Sequence, residues 1–144
     1  MEQSIIEYMK EQLGMEEADV RTYSPLALAY IGDSVYDLLI RSLIVSKGNM
    51  PVQKYHKLAS SMVNAHAQAK IITALETELT EEEHAVYKRG RNSKPATTAK
   101  NASVKEYKTA TGMEALIGYL YLSNQHTRLI DLVKKGIEIL EENH

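Results

Sequence analysis

The stretch SPLALAYIGDSVYDLLIRSLIVSKG, Ser24 to Gly48, decides the fold. Ser24 can cap a helix, Pro25 suits the first helical position, and Leu28, Ile31, Val35, Leu38, Leu39 and Leu43 recur at helical spacing. Lys47-Gly48 closes the run with a cation and a glycine past the end. Gly32 stands inside this helix, where glycine costs about 1 kcal/mol relative to alanine. Close approach of a second helix, which only a missing side chain permits, is the expected compensation. Asp33 is then carried to the edge of a helix contact.

The same signals recur along the chain. Ile5, Ile6, Met9 and Leu13 predict a short N-terminal helix, and a second long one is expected from Pro51 through Tyr55, Leu58, Met62, Ala65, Ala69 and Ile72. Thr80-Glu81-Glu82-Glu83 and Ser103-Val104-Lys105-Glu106 are capping boxes, in which the hydroxyl and the third-following carboxylate bond each other's backbone amides. The first opens a short helix ending near Gly90; the second leads into Met113, Leu116, Ile117, Leu120 and Tyr121. Leu129, Ile130, Leu132, Val133, Ile137 and Leu140 predict a last amphipathic helix. No stretch sustains the period-two alternation of a strand. An all-α domain of about six helices, spanning residues 1–144, is the expectation.

Composition narrows the chemistry. The 144 residues make one domain large enough to bury a core, and no apolar run approaches the roughly 18 residues of a membrane span. The acidic N-terminus lacks the basic region of a signal peptide, so a cytoplasmic, membrane-free protein is expected. With no cysteine, disulfides, thiolate catalysis and Cys-containing zinc sites are excluded, and any metal must sit on oxygen or imidazole. Nine tyrosines stand beside no Phe and no Trp, a bias the sequence does not explain.

Charge is segregated behind a net value of -2. Leu38 to Leu75 holds five cations and no acid, Lys88 to Lys105 holds six and no acid, and the remainder therefore carries -13. Two acid-free blocks in one small domain point to a polyanionic partner. Within the second block, Arg91 to Asn101 has no apolar periodicity and is long enough for a functional loop. Lys88, Arg89, Arg91, Lys94 and Lys100 supply charge for phosphates, and Asn92 and Thr97 supply hydrogen bonds for sugars.

A second carboxylate, Glu114, lies in the apolar run ATGMEALIG, between Ala110 and Gly118 one turn away on either side. Such an acid can face solvent or bond a backbone end. Asp33 and Glu114, each near a helix-contact glycine, can instead face one another and form a minimal site for a hard divalent cation such as Mg²⁺.

YIGDSVYD, Tyr30 to Asp37, resembles the signature helix of the ribonuclease III family, and MEALIGYLYL, Met113 to Leu122, resembles its second acidic helix. Met62-Val63-Asn64 is similar to the segment between them, and the resemblance runs from Leu26 to Leu122. Without a double-stranded-RNA-binding domain, the chain is most similar to the Mini-III ribonuclease group. The resemblance implies a homodimeric, Mg²⁺-dependent endoribonuclease that cuts double-stranded regions of precursor 23S ribosomal RNA to mature its ends. It leaves open whether a ribosomal protein reshapes the substrate. By position it makes Asp33 and Glu114 the metal-binding catalytic pair. Ala29 and Thr111 stand where the wider family carries two more carboxylates, so a catalytically silent RNA-binding module of the same fold is the alternative. Asp37, one turn beyond Asp33, can assist or be a surface group. A helical interaction protein with merely solvated basic blocks is a third reading.

Overall fold

The computed structural model describes residues 2–16, 18–93 and 103–142. Its α-helices are α1 Ile5–Gln12, α2 Pro25–Val45, α3 Val52–Val63, α4 Ala65–Leu75, α5 Glu81–Arg91, α6 Val104–Leu122 and α7 His126–Glu141. Single 3₁₀ turns, Val20–Thr22 and Glu76–Glu78, precede α2 and α5. The described residues contain no strand, and none of their helices is long and apolar enough to cross a membrane.

The helix starts follow the local chemistry. Ser24 Oγ accepts the Ala27 amide at 3.1 Å with Pro25 at the first helical position, and both capping boxes close, Thr80 with Glu83 and Ser103 with Glu106. At the far end of α2, Gly48 takes φ +114°, a conformation that costs other residues dearly.

The expected helix from Pro51 to Ile72 is two helices. Asn64 leaves helical geometry (φ -70°, ψ 163°), its Oδ1 accepts the Ala67 amide at 2.7 Å, and its Nδ2 donates to the Ser60 carbonyl at 2.9 Å. Side chains take the carbonyls this exposes: Tyr36 Oη donates to Met62 O at 2.9 Å, and Gln68 Nε2 donates to Val63 O at 2.8 Å. Tyr36 is buried, which holds its hydroxyl well above the ordinary tyrosine range and keeps it a donor. Tyr55 Oη on Gly48 O and Tyr121 Oη on Met9 Sδ likewise join separate elements, which gives part of the tyrosine bias a purpose phenylalanine could not serve.

Helix α6 is the axis of the fold. Ala115 through Leu120 are buried consecutively, so every side of the helix is covered. One side meets α2 without side chains between them: a Cβ on Gly32 would overlap the Glu114 carbonyl and stand 2.8 Å from the Gly118 amide. Reciprocally, a Cβ on Gly118 would overlap the Leu28 carbonyl and stand 2.9 Å from Ile31 Cγ2. This register makes the two helices antiparallel. On another side, Gly112 lies under Tyr87 and Gly90 against Ala115, seating α5. The α4 and α7 faces complete the core through Ile71, Ile72, Leu75, Leu129, Leu132 and Val133.

A buried ion pair fixes α5 to α7. Glu83, only 4% exposed, accepts both Nε and Nη2 of Arg128 at 2.8 Å and also closes its own capping box on the Thr80 amide. Hydrogen bonds from Arg128, with help from Thr80 and against the opposing effect of burial, hold the Glu83 carboxyl below its usual 4.5.

Gly32→Ala should lower stability by about 2 kcal/mol or more in denaturant titration, because overpacking outweighs the gain of about 1 kcal/mol in helix propensity. Arg128→Ala should cost about 3 kcal/mol by stranding the Glu83 charge. A carboxyl depressed in the folded state contributes stability above its unfolded value, here near pH 4.5, and that contribution is lost as pH falls through the lower folded value. Thermal melts between about pH 3 and 6 should show a shallower pH dependence in Glu83→Gln than in the wild type.

Candidate active site

The close contact of α2 and α6 defines the candidate site. Asp33 follows Gly32 and is exposed; Glu114, whose carbonyl lies against Gly32, is partly buried. Only glycine at position 32 lets the backbones meet, so the two carboxylate-bearing positions are brought together on rigid helices. Both elements are anchored in the core, by Leu28, Tyr36 and Ile40 on α2 and by Leu116 and Leu120 on α6. Such support keeps first-contact groups from drifting.

Among the described residues no group of three or more His, Cys, Asp or Glu could hold a metal ion. The candidate donors at this contact are two carboxylates, Asp33 and Glu114. That pair suits a hard cation that keeps several waters and accepts substrate phosphate oxygens, as Mg²⁺ does. Ala29 is buried against the core, and Thr111, 2% exposed, donates its hydroxyl to the Tyr107 carbonyl at 3.0 Å. Asp37, partly buried, pairs with Arg41 one turn further along α2, its Oδ2 2.9 Å from the guanidinium Nε.

Of the expected RNA-contact residues, Lys88, Arg89 and Arg91 occupy the last turn of α5, and Asn92 is its C-cap. The helix thus reaches one residue further than Gly90, and Arg91 belongs to it rather than to the loop. Cations in a last turn are favoured by the partial negative charge of the carbonyl end. The Arg91 guanidinium lies 5.4 Å from the centroid of the Tyr87 ring, and Lys88 and Arg89 are exposed. Lys94, Thr97 and Lys100 lie outside the described residues.

Three further cations, which the sequence reading did not single out as site residues, line the two neighbouring clefts, Lys105 and Lys108 with Arg91 and Asn92, and Lys70 with Lys105. Lys105 and Lys108 project from the first turns of α6, and Lys70 from α4. Lys108 falls outside the acid-free block because Glu106 interrupts it. That carboxylate is occupied elsewhere, by the Ser103 amide at 3.2 Å and by His66.

This fold, with its glycine contact between α2 and α6 and its basic flank, belongs to a known class. The ribonuclease III domain family matches residues 26–125. A Mini-ribonuclease 3 of Clostridium tetani is 48% identical over 126 residues, covering 87% of this chain and 83% of that protein. One from Thermoanaerobacter is 41% identical over 142 residues, covering 99% of this chain and all of that one. A crystal structure of a protein from Fusobacterium nucleatum superposes with a TM-score of 0.78 at 32% identity, over 89% of this chain and 99% of that one. The chain belongs to the ribonuclease III family, and by that membership it is an endoribonuclease. Its similarity to the Mini-ribonuclease 3 proteins runs over most of its length.

Because Asp37 is engaged by Arg41, Asp37→Asn should leave the rate of RNA cleavage within about twofold and stability within about 0.5 kcal/mol. Single-turnover assays and thermal melts measure both.

Proposed function

We propose that the chain is a Mg²⁺-dependent endoribonuclease that cuts double-stranded regions of precursor 23S ribosomal RNA while its 5′ and 3′ ends mature, working as a homodimer. The observation that carries this reading is the position of Asp33 and Glu114 at the glycine contact of α2 and α6 in a ribonuclease III fold.

Asp33 and Glu114 would hold the cation. When bound, such a cation lowers the pKa of a coordinated water and stabilises charge on the scissile phosphate and the leaving oxygen. The chain itself contributes position: two carboxylate oxygens on helices that cannot slide past each other, one exposed to substrate and one partly buried. No protein nucleophile is required, and none is at hand in the form of a cysteine. The cations of the last α5 turn meet phosphates, as would Lys94 and Lys100, while Asn92 and Thr97 would meet sugars. A duplex in the A form displays its phosphates and 2′-hydroxyls more readily than its base edges, so recognition is by shape and backbone.

The dimer reading is supported by Leu26, Tyr30, Leu38 and Val45, which leave the outer side of α2 apolar and exposed, Tyr30 at 83%. Twofold symmetry would set two equivalent sites against two antiparallel strands, one cut for each.

Purified protein with Mg²⁺ should cleave a precursor 23S duplex in preference to an unrelated duplex, and chelation should stop it. A ribosomal protein added in a parallel arm tests whether it reshapes the substrate. Asp33→Asn and Glu114→Gln should each lower single-turnover cleavage by about 10²-fold or more, while duplex binding in Mg²⁺-free buffer persists. Because the two would act on one cation, the double variant should lose little beyond either single one. Binding with no cleavage by the wild type, unaltered by Asp33→Asn, would instead support the silent RNA-binding module.

A further inference from the structure

Two clefts open between α4 and the first turns of α6. One is lined by Arg91, Asn92, Lys105 and Lys108, the other by His66, Lys70 and Glu106, and both include Thr73, Lys105 and Thr109. They are therefore adjacent and together form a trough divided at these residues. It runs from the C-cap of α5 at Asn92, past the start of α6 at Ser103, to the first turn of α4.

The trough is lined by acids and cations in unequal standing. Both of its carboxylates are already engaged: Glu76 by His84 Nε2 at 2.9 Å, and Glu106 by His66 and by the Ser103 amide at 3.2 Å. The Ser103 contact closes the capping box, so Glu106 cannot turn away without uncapping α6. Lys70, Lys105, Lys108 and Arg91, by contrast, make no ion pair with an acid among the described residues. Lys105 and Lys108 are three residues apart, so they project from neighbouring positions on one helix surface. Lys70 approaches from α4, across the trough.

Charge in the folded chain is also polarised along α6. The N-terminal half of the helix carries this cationic trough. Its C-terminal end is tied to α1, through Tyr121 to Met9 and Asn124 to Glu7, and α1 brings Glu7 and Glu11 with only Lys10 against them. A polyanion is therefore favoured at the trough end of α6 over the α1 end. An extended row of unpaired ammonium groups with threonine hydroxyls among them fits a run of phosphates, since ammonium groups neutralise the oxygens and hydroxyls complete their hydrogen bonding.

We propose that the trough between α4 and α6 is a second RNA-backbone contact, in which Lys70, Lys105 and Lys108 take phosphate oxygens of a duplex. The proposal rests on the reading of the chain as a nuclease for double-stranded RNA. It extends the contact of the last α5 turn, whose Arg91 and Asn92 line one end of the trough, along α6 and α4.

The test is fluorescence anisotropy with a labelled, blunt-ended RNA duplex of about 20 base pairs in Mg²⁺-free buffer, across a salt series. The triple variant Lys70→Ala, Lys105→Ala, Lys108→Ala should bind about tenfold or more weakly near 0.1 M salt, and the slope of log affinity against log salt should fall by about 2 to 3. The corresponding triple arginine variant should restore the slope, since phosphate contacts need the charge. Lys134→Ala on α7 should change neither. A triple alanine variant with the wild-type melting temperature, affinity and slope would overturn the proposal. The nuclease reading fails separately: absence of Asp33-dependent cleavage with the slope change intact would remove the enzyme and leave the RNA contact standing.

Discussion

Backbone meets backbone where α2 crosses α6, and the rest of the molecule is arranged around that contact. A pair of ordinary helices keeps its axes about 8–10 Å apart because side chains interdigitate between them. Here Gly32 and Gly118 remove the spacers from both sides, each lying where a methyl group would strike the partner's main chain. Two consequences follow from one geometry. The helices lock in a single antiparallel register, and the residue after Gly32 is delivered beside the helix that carries Glu114. Stability and the candidate site therefore depend on the same atoms. The helix-propensity cost of glycine is the smaller term, and the gain is a relation between two carboxylate positions that no flexible loop could hold.

Much of this was legible in the sequence because it follows local rules. A serine before a proline, two capping boxes and a glycine in an apolar helical run each state their geometry within a few residues, and the structure has them as expected. The division at Asn64 was not legible, because apolar periodicity passes through it unbroken. What divides the helices is the set of side chains that take the freed carbonyls, and Tyr36 reaches its carbonyl from 26 residues away. The exposed outer side of α2 was hidden for a related reason. Leu38 shares the helical run with Leu28 and Ile31, yet Leu28 is buried and Leu38 is exposed, since which apolar residues face the core depends on where the neighbours lie.

The candidate RNA surface shows the same boundary between local and tertiary information. Acid-free blocks are a property of the linear sequence, and they pointed to the cations that end α5. Lys70 and Lys108 join those cations only because α4 is folded against the start of α6. Glu106 conceals Lys108 in the sequence by ending the basic run, although in the folded chain its carboxylate is turned to the cap and to His66. Net charge is a still poorer guide. A value of -2 gives no hint of a protein with a cationic trough at one end of its central helix and an acidic helix at the other.

The two positions where the wider family carries further carboxylates are explained by packing. Ala29 belongs to the core, and Thr111 is buried with its hydroxyl donated to a carbonyl one turn back. An ionised group at either place would have to be desolvated, at a cost far larger than one capping interaction unless a cation or a set of donors met it. In the proposed site the protein supplies two carboxylates, on positions that the close glycine contact brings near each other. A cation held by so few protein ligands must complete its coordination from water and from the phosphate it acts upon. In the proposed reaction, metal binding and substrate binding are then one event, and the remaining affinity has to come from the cations that grip the duplex elsewhere.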